Sequence, residues 1–290
     1  MLTSPLLRLF AGAILISFSP VFVGLVDVSP TNSAFYRVSI GGAALAAWLL
    51  VTRRRLGFSR TAWAALGFSA VFFALDLWFW HRSIIYIGPG LSTLLANTQV
   101  FFMIAAGALL LGQRPTFVQL MAAMLAVAGL ALIVAPQWRA AQPNYQWGVV
   151  LGVLTAISYA GYMLLLRRAR QQSKYAVPVR EVAAVSLLTA ALLGASAVVE
   201  GGMIEVPGVT DLGWLLAYGL ASHALGWLLI TSALVHVSTT VTGIALLLQP
   251  TLSFLWDVLV FARTFTALEA AGAAMALTAI FLGSVAGRQR

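Results

Sequence analysis

The stretch Ala74–His81, ALDLWFWH, places an aspartate, two tryptophans and a histidine inside a long apolar run. Asp76 and Trp80 are four residues apart, which puts their side chains on one face of a helix. Trp78 and His81 lie on a neighbouring stripe. A carboxylate or imidazole in such a run can bind a polar ligand or handle a proton, and tryptophan rings can wall a cavity. The pattern predicts a segment that borders water on one side.

Two other interpretations of this segment stay open. Asp76 could be the structural partner of an arginine such as Arg37 or Arg82. Trp80 and His81 could belong to the belt of aromatic residues at a membrane interface. For Arg37 itself, near the start of the second apolar run, the sequence favours a structural role over binding of a substrate carboxylate.

A second group of polar residues lies in two later apolar runs. Asn97 and Gln99 occupy one run and Gln249 another, next to Pro250. Uncharged amides suit a zwitterionic ligand because they can bind either an ammonium or a carboxylate group. Proline removes a backbone donor, so a kink is expected at Pro250. The alternative is hydrogen bonding between packed helices.

Weaker signals come from isolated aromatic and polar residues elsewhere. His223 and Trp227 are spaced four apart, Tyr159 and Tyr162 three apart, and Pro20 interrupts the first apolar run. The predicted substrate-binding residues are Asp76, Trp78, Trp80, His81, Asn97, Gln99, Tyr159, Tyr162, His223, Trp227 and Gln249, and the predicted hinges or kinks are Pro20 and Pro250.

The amino-acid composition indicates whether the protein folds in water or in a membrane. The chain has 290 residues, of which 61% are hydrophobic and 9% charged, whereas soluble domains are about 25% charged. Apolar runs of about 20 residues recur throughout, long enough to cross a bilayer. We predict an all-α, multi-pass membrane protein with ten spans, at 6–26, 32–52, 62–82, 88–111, 116–135, 146–167, 178–199, 211–233, 239–262 and 266–286.

The basic residues predict the orientation. With the N-terminus in the cytoplasm, thirteen Lys and Arg fall in cytoplasmic segments and three in periplasmic ones. This bias places both termini in the cytoplasm. It also accounts for the net charge of +9 without a nucleic-acid partner. We expect the first apolar run to be a retained helix.

The types of reactive residue limit the chemistry. The chain has no cysteine and three histidines, His81, His223 and His236, without metal-ligand spacing. Disulfides and zinc–thiolate sites are excluded. We therefore expect no metal, no cofactor and no enzymatic activity.

The two halves show weak internal similarity. A shift of 150 residues aligns Gln99 with Gln249 and Thr116 with Thr266. Five spans per half would make the second half enter the membrane from the opposite side, as in many secondary transporters. We predict a first five-helix repeat at 1–137, a periplasmic connection at 138–145 and a second five-helix repeat at 146–290.

The segment GPGLSTLLANTQVFFMIAAGALLLGQRPTFVQ at 88–119 is similar to EamA-type transporters of the drug/metabolite transporter superfamily. Its exit, Leu111-Gly112-Gln113-Arg114-Pro115, has glutamine where the family often has glutamate. The second copy, at 243–269, keeps Pro250, Thr266 and Glu269 but loses the Gly-acid pair. Within the family, the chain looks most like the bacterial aromatic amino acid exporters of the YddG type.

The resemblance implies a secondary transporter in the bacterial inner membrane that exports amino acids, aromatic or large apolar, by alternating access around a cavity at the membrane midplane. The alternative is a proton-coupled exporter of cationic drugs or other small metabolites, attracted by Asp76 or Asp257. Asp76, His81 and His223 are the buried proton carriers that coupling would require, and uniport remains equally open. The expected partners are a small-molecule substrate and lipid; the sequence does not distinguish a monomer from a homodimer.

Overall fold

The fold was analysed in a computed structural model of the chain. The structure describes residues 4–54, 57–134, 145–173, 178–201, 203–261 and 266–286. Within these ranges all regular structure is helical. Most of the predicted connection at 138–145 and the side chain of Asp257 lie outside the described residues.

The described helices follow the chain in thirteen α-helical elements and one π-helical segment. They are α1 (Pro5–Ser17), α2 (Ser19–Leu25), α3 (Pro30–Val51), α4 (Arg60–Asn97), α5 (Gln99–Leu111), α6 (Phe117–Val134), α7 (Tyr145–Gln171), α8 (Val179–Gly201), α9 (Val209–Ala217), the π segment (Tyr218–Leu225), α10 (Gly226–Ala233), α11 (Thr239–Leu246), α12 (Leu248–Phe261) and α13 (Ala267–Ala286).

Six stretches of the described residues are long and apolar enough to cross a membrane, which supports a multi-pass protein. They are Pro5–Leu25, Pro30–Val51, Arg60–Ile87, Tyr145–Gln171, Val179–Gly201 and Val209–Ala233, and shorter apolar helices cover Leu95–Leu111, Phe117–Gly129 and Ala270–Gly283. The arrangement of ten spans with both termini in the cytoplasm stays a prediction.

Helix α4 reverses direction within its length. The Ser92 hydroxyl donates a hydrogen bond to the Trp80 carbonyl at 3.3 Å, whereas residues twelve apart in a straight α-helix are separated by about 18 Å. The chain therefore folds back between Trp80 and Ser92, where the sequence holds Gly88, Pro89 and Gly90. The gap predicted between the spans ending at 82 and beginning at 88 falls at this reversal.

Two helix breaks lie just before prolines. Helix α1 gives way to α2 at Phe18, and α11 gives way to α12 at Leu247. Pro20 and Pro250 explain the positions, because a proline lacks the N–H group that would bond the carbonyl four residues earlier and its ring crowds that carbonyl. Both breaks lie beside the two prolines for which kinks or hinges are predicted, and a kink or hinge at either proline stays a prediction.

A third break, at Thr98, has side-chain causes instead. The Thr98 hydroxyl donates to the Leu95 carbonyl at 2.6 Å, and the Asn97 amide donates to the Thr93 carbonyl at 2.7 Å. Such bonds to carbonyls three and four residues earlier compete with the helical ladder. The breaks at Thr98 and Leu247 occupy nearly equivalent places in the two halves.

The exit motif Leu111–Pro115 has a clear conformational basis. Gly112 adopts the left-handed region with φ of 63°, which suits glycine, and Gln113 N–H then bonds the Gly107 carbonyl to close α5. Thr116 and Gln119 begin α6 with reciprocal hydrogen bonds of 2.9 and 3.2 Å, an arrangement known as a capping box.

The main helix contacts join the two halves. Helix α4 packs on α7, α1 on α10, α3 on α8, α5 on α11 and α6 on α13. If each span of the first half is exchanged with the corresponding span of the second half, the α4–α7 pairing becomes the α10–α1 pairing. The α3–α8, α5–α11 and α6–α13 pairings are unchanged by the same exchange. The interface between halves therefore forms most of the protein interior.

Because the chain has no cysteine, single cysteines can test the topology directly. The loop residue Val206 is 92% exposed and is predicted to be periplasmic, whereas Arg54 is exposed and predicted to be cytoplasmic. In intact cells we expect a membrane-impermeant maleimide to label Val206→Cys and to label Arg54→Cys only after lysis. The reverse pattern would contradict the predicted orientation.

Glycine allows α3 to contact the π segment at backbone distance. A Cβ atom on Gly41 would lie 2.6 Å from the Gly219 carbonyl oxygen and from the His223 ring. Gly41→Ala should therefore destabilise the protein by about 1–3 kcal/mol, because the segments must separate. Gly67→Ala is the control, since a Cβ there meets nothing within 4 Å. Thermal unfolding in detergent measures both, and equal melting temperatures would exclude this close packing.

Candidate substrate-binding cavity

A small cavity of about 80 Å³ lies where the helix breaks meet. Both halves contribute to it, through α1, α2, α3 and both arms of α4 from the first and through α7, α10 and α12 from the second. Its lining residues are Ile16, Ser19, Pro20, Arg37, Phe73, Asp76, Leu77, Trp80, Thr93, Ala96, Asn97, Thr155, Tyr159, Trp227, Gln249 and Ser253.

Six of the predicted substrate-binding residues line this cavity. Trp80, Tyr159 and Trp227 supply aromatic walls, and the rings of Tyr159 and Trp227 lie 6.1 Å apart at 78°. The polar contributors are Asp76, Asn97 and Gln249. Apolar walls with a few polar groups are typical of small-molecule sites.

The two cavity amides are partly engaged with the protein. The Gln249 amide nitrogen donates to the Tyr159 hydroxyl at 3.4 Å, and the Asn97 amide nitrogen donates to the Thr93 carbonyl at 2.7 Å. Neither amide oxygen has a partner among the described residues. The free oxygens can accept hydrogen bonds from an ammonium group.

The Asp76 carboxylate is buried, with 8% of the residue exposed. Within the described residues it has no ion pair or hydrogen bond. Arg82 pairs with Glu200 instead, so the Arg82 alternative for Asp76 does not apply. Asp76 and Arg37 line the same cavity, but no ion pair joins them.

Arg37 lines the cavity as well, although the sequence favoured a structural role for it over substrate binding. Its guanidinium donates to the Tyr218 hydroxyl at 3.1 Å and lies 4.9 Å from the centre of that ring. Only 4% of Arg37 is exposed, and its Nε atom has no partner in the described structure. The sequence signal for a functional role was the position of Arg37 within an apolar run. A charged side chain inside a membrane span costs free energy and usually has a function.

Trp78 lies away from the cavity, in a cluster around Glu200 that we call the Glu200 clasp. The Glu200 carboxylate accepts hydrogen bonds from Trp78 at 2.7 Å, Thr31 at 2.8 Å and Ser196 at 2.7 Å, and it pairs with Arg82, whose guanidinium stacks over the Trp78 ring. The clasp joins α3 and α4 to α8 and thus the first half to the second.

A neighbouring contact ties the halves through the loop after α8. The Glu205 carboxylate accepts from the Ser29 N–H at 2.9 Å and from the Asn32 amide at 3.1 Å. Hydrogen bonds from Ser29, with a smaller contribution from Asn32, hold the pKa of Glu205 below its usual range. The stabilisation is therefore present above the ordinary carboxyl pKa and is lost as the pH falls through the lowered value.

The other predicted residues are buried away from the cavity lining. His81 contacts its own helix, with Nδ1 2.7 Å from the Leu77 carbonyl. Tyr162 stacks on Phe73 at 4.2 Å, and His223 Nε2 lies 2.7 Å from the Ser186 hydroxyl. Gln99 is fully buried, and neither of its amide atoms has a partner among the described residues.

The π segment positions several of these contacts. Tyr218 holds Arg37, Ser222 bonds the Ser19 hydroxyl at 2.8 Å, and His223 approaches Ser186. Trp227, two residues beyond the segment, lines the cavity. Departures from α-helical geometry are frequent at functional sites, and this one could not be predicted from local sequence.

The cavity is small compared with ligand pockets, which span about 300–1,000 Å³. A volume of about 80 Å³ has room for water rather than for an amino acid. A molecule the size of an amino acid would fit only if the surrounding helices separated. Among the described residues, no group of three His, Asp or Glu side chains could hold a metal ion.

Comparison with known proteins places the chain in a family. The sequence model of the EamA-like transporter family matches residues 3–135 and 146–285. Two relatives, both named pseudopaline exporter CntI, come from Pseudomonas aeruginosa strains UCBPP-PA14 and ATCC 15692 (PAO1). Each is 27% identical over 246 residues, or 84% of this chain and 82% of the relative.

A solved crystal structure has the same fold. It superimposes with a TM-score of 0.83 over 99% of this chain and 98% of its own, at 19% identity. At this identity, the likeness concerns the fold alone.

The Glu200 clasp should stabilise the protein by a coupled interaction. The exposed fractions of the Arg82 and Glu200 side chains are 19% and 35%, so solvent weakens the pair. We expect Glu200→Gln to lower the melting temperature by about 2–4 °C, equivalent to about 1 kcal/mol. Arg82→Gln and the double variant complete a double-mutant cycle. Strictly additive effects would show that the two side chains do not interact.

Proposed function

This chain belongs to the EamA-like transporter family, and on that premise we propose that it exports amino acids, aromatic or large apolar, through the cavity between its halves. The supporting observation is the cavity lining. Trp80, Tyr159 and Trp227 surround a space that also holds Asp76 and the amides of Asn97 and Gln249. Rings of this kind suit an aromatic side chain, and the polar groups suit its amino and carboxyl groups.

The proposed mechanism is alternating access between two inverted five-helix repeats, at 1–137 and 146–290. The helix contacts support it, since the two sets of helices pair across the halves in a symmetric way. The Glu200 clasp closes one end of the interface, which we propose to be the periplasmic end. Opening toward the periplasm would then break the clasp and widen the cavity.

The relatives support the direction of transport. Both are named as exporters of a small molecule, and a multi-pass membrane protein of a bacterial inner membrane is consistent with that likeness. We propose that this chain also moves its substrate outward. An amino acid cargo is our inference from the cavity and not from the relatives.

An exporter of cationic drugs is less well supported. Asp76 could attract a cation, but the Arg37 guanidinium lines the same cavity and would repel it. Of the three candidate proton carriers, Asp76 lines the cavity, whereas His81 and His223 do not, so no second candidate carrier accompanies Asp76 there. We therefore favour facilitated export without obligatory proton exchange.

Tryptophan counterflow in liposomes tests this proposal. Purified protein is reconstituted, the vesicles are loaded with unlabelled tryptophan, and the pH is equal on both sides. We expect labelled tryptophan to accumulate, with little accumulation of alanine or aspartate. Absence of counterflow for every aromatic amino acid would overturn the cargo assignment, and counterflow only under a pH gradient would overturn the uniport mechanism.

Two tryptophan variants provide a matched comparison. Trp80 lines the cavity and is 9% exposed, whereas Trp147 in α7 is 65% exposed and away from it. A lost ring contact of about 1 kcal/mol corresponds to roughly fivefold weaker binding. Trp80→Leu should therefore raise the tryptophan concentration needed for half-maximal counterflow by about fivefold, and Trp147→Leu should leave it unchanged. Equal effects would remove Trp80 from the binding site.

A further inference from the structure

A basic and an acidic side chain line the cavity without a direct ion pair. Arg37 and Asp76 are 4% and 8% exposed, and both border the central space. No ion pair joins them, so their charged atoms are more than 4.0 Å apart. The cavity thus has a basic and an acidic group on separate helices, α3 and α4.

Asp76 lacks the protein partner that a buried carboxylate normally has. A buried carboxylate is costly unless it is paired or hydrogen-bonded, yet Asp76 has neither within the described residues. The ion pairs of Arg82 with Glu200 and of Arg170 with Glu181 show that this fold does pair other charges. The unpaired state of Asp76 is therefore a local property of the cavity.

Arg37 is held in place with most of its hydrogen-bonding capacity unused. A guanidinium has five N–H donors, and in the described structure one bonds the Tyr218 hydroxyl at 3.1 Å. The ring of Tyr218 lies beside the guanidinium and fixes its position. A positioned arginine with free donors is well suited to a carboxylate, which it can bind through two parallel hydrogen bonds.

We propose that Arg37 and Asp76 form a zwitterion site, in which Arg37 binds the α-carboxylate and Asp76 the α-ammonium group of the substrate. This inference rests on the proposed function and specifies its substrate class: α-amino acids with both groups free. The free amide oxygens of Asn97 and Gln249 add acceptors for the ammonium group, and the aromatic walls contact the side chain.

The site also explains how wrong cargo is rejected. A cation without a carboxylate would leave Arg37 unpaired and face its like charge. An anion without an amine would leave Asp76 unpaired in the same way. Because an unpaired buried charge is penalised more than a lost neutral contact, the two groups together select against both classes.

The test uses three charge forms of one side chain, namely tryptophan, tryptophanamide and N-acetyltryptophan. Dissociation constants are measured by calorimetry on the full chain in lipid nanodiscs, with wild type, Arg37→Gln and Asp76→Asn. Wild type should bind tryptophan at least about tenfold more tightly than either analogue. Asp76→Asn should shift the preference toward N-acetyltryptophan by about tenfold, and Arg37→Gln toward tryptophanamide by about tenfold.

Arg82→Gln is the control, because Arg82 pairs with Glu200 outside the cavity and should leave the preference unchanged. Melting temperatures confirm that each variant is folded.

If both cavity variants raise the dissociation constants of all three ligands by the same factor, Arg37 and Asp76 have a structural role. The zwitterion site is then wrong, while the proposed function stands. If the wild-type protein neither binds any tryptophan compound nor shows counterflow with it, the assignment of an aromatic cargo is wrong. The same measurements are then made with leucine and its amide and N-acetyl forms. Failure of both series overturns the proposed function and this inference together.

Discussion

The structure depends on one constraint: inside a bilayer, polar groups have to find their partners within the protein. Uninterrupted helices meet this demand for the backbone, and most of the described chain is helical. The interruptions occur together. The breaks at Phe18, Thr98 and Leu247 and the π segment Tyr218–Leu225 all adjoin the central cavity. Irregular backbone is tolerated at membrane depth where it borders a cavity instead of lipid, so the breaks and the cavity explain each other.

The same constraint separates two kinds of charged residue. At one end of the interface between halves, Glu200 accepts four hydrogen-bonding partners from α3, α4 and its own helix α8. These contacts satisfy their charges, and they hold the halves together. In the cavity, Arg37 and Asp76 stay largely unsatisfied by the protein. The first group fits the proposed closing contact, and the second fits the proposed binding site.

The small cavity volume and the clasp are consistent with each other. About 80 Å³ is too little for an amino acid, and the contacts of Glu200 and Glu205 tie the two halves at one end. A transporter of this design would bind its cargo only after the halves separate on one side. If the proposed zwitterion site exists, a substrate with both charges would draw the α3 and α4 walls toward itself as the cavity closes around it.

The sequence by itself determined that the protein is helical and crosses a membrane several times, and it located the prolines beside two helix breaks, because apolar length and proline chemistry are local properties. It also placed Asp76 and Trp80 on one helix face, and both line the cavity. The tertiary structure decided which face points inward: Trp78 contacts the Glu200 clasp, while His81, Gln99, Tyr162 and His223 are buried away from the lining. It also brought Arg37 to the cavity. Two of these placements depend on neighbours more than a hundred residues away: Tyr218 for Arg37 and Glu200 for Trp78. Helical periodicity contains no information about such neighbours.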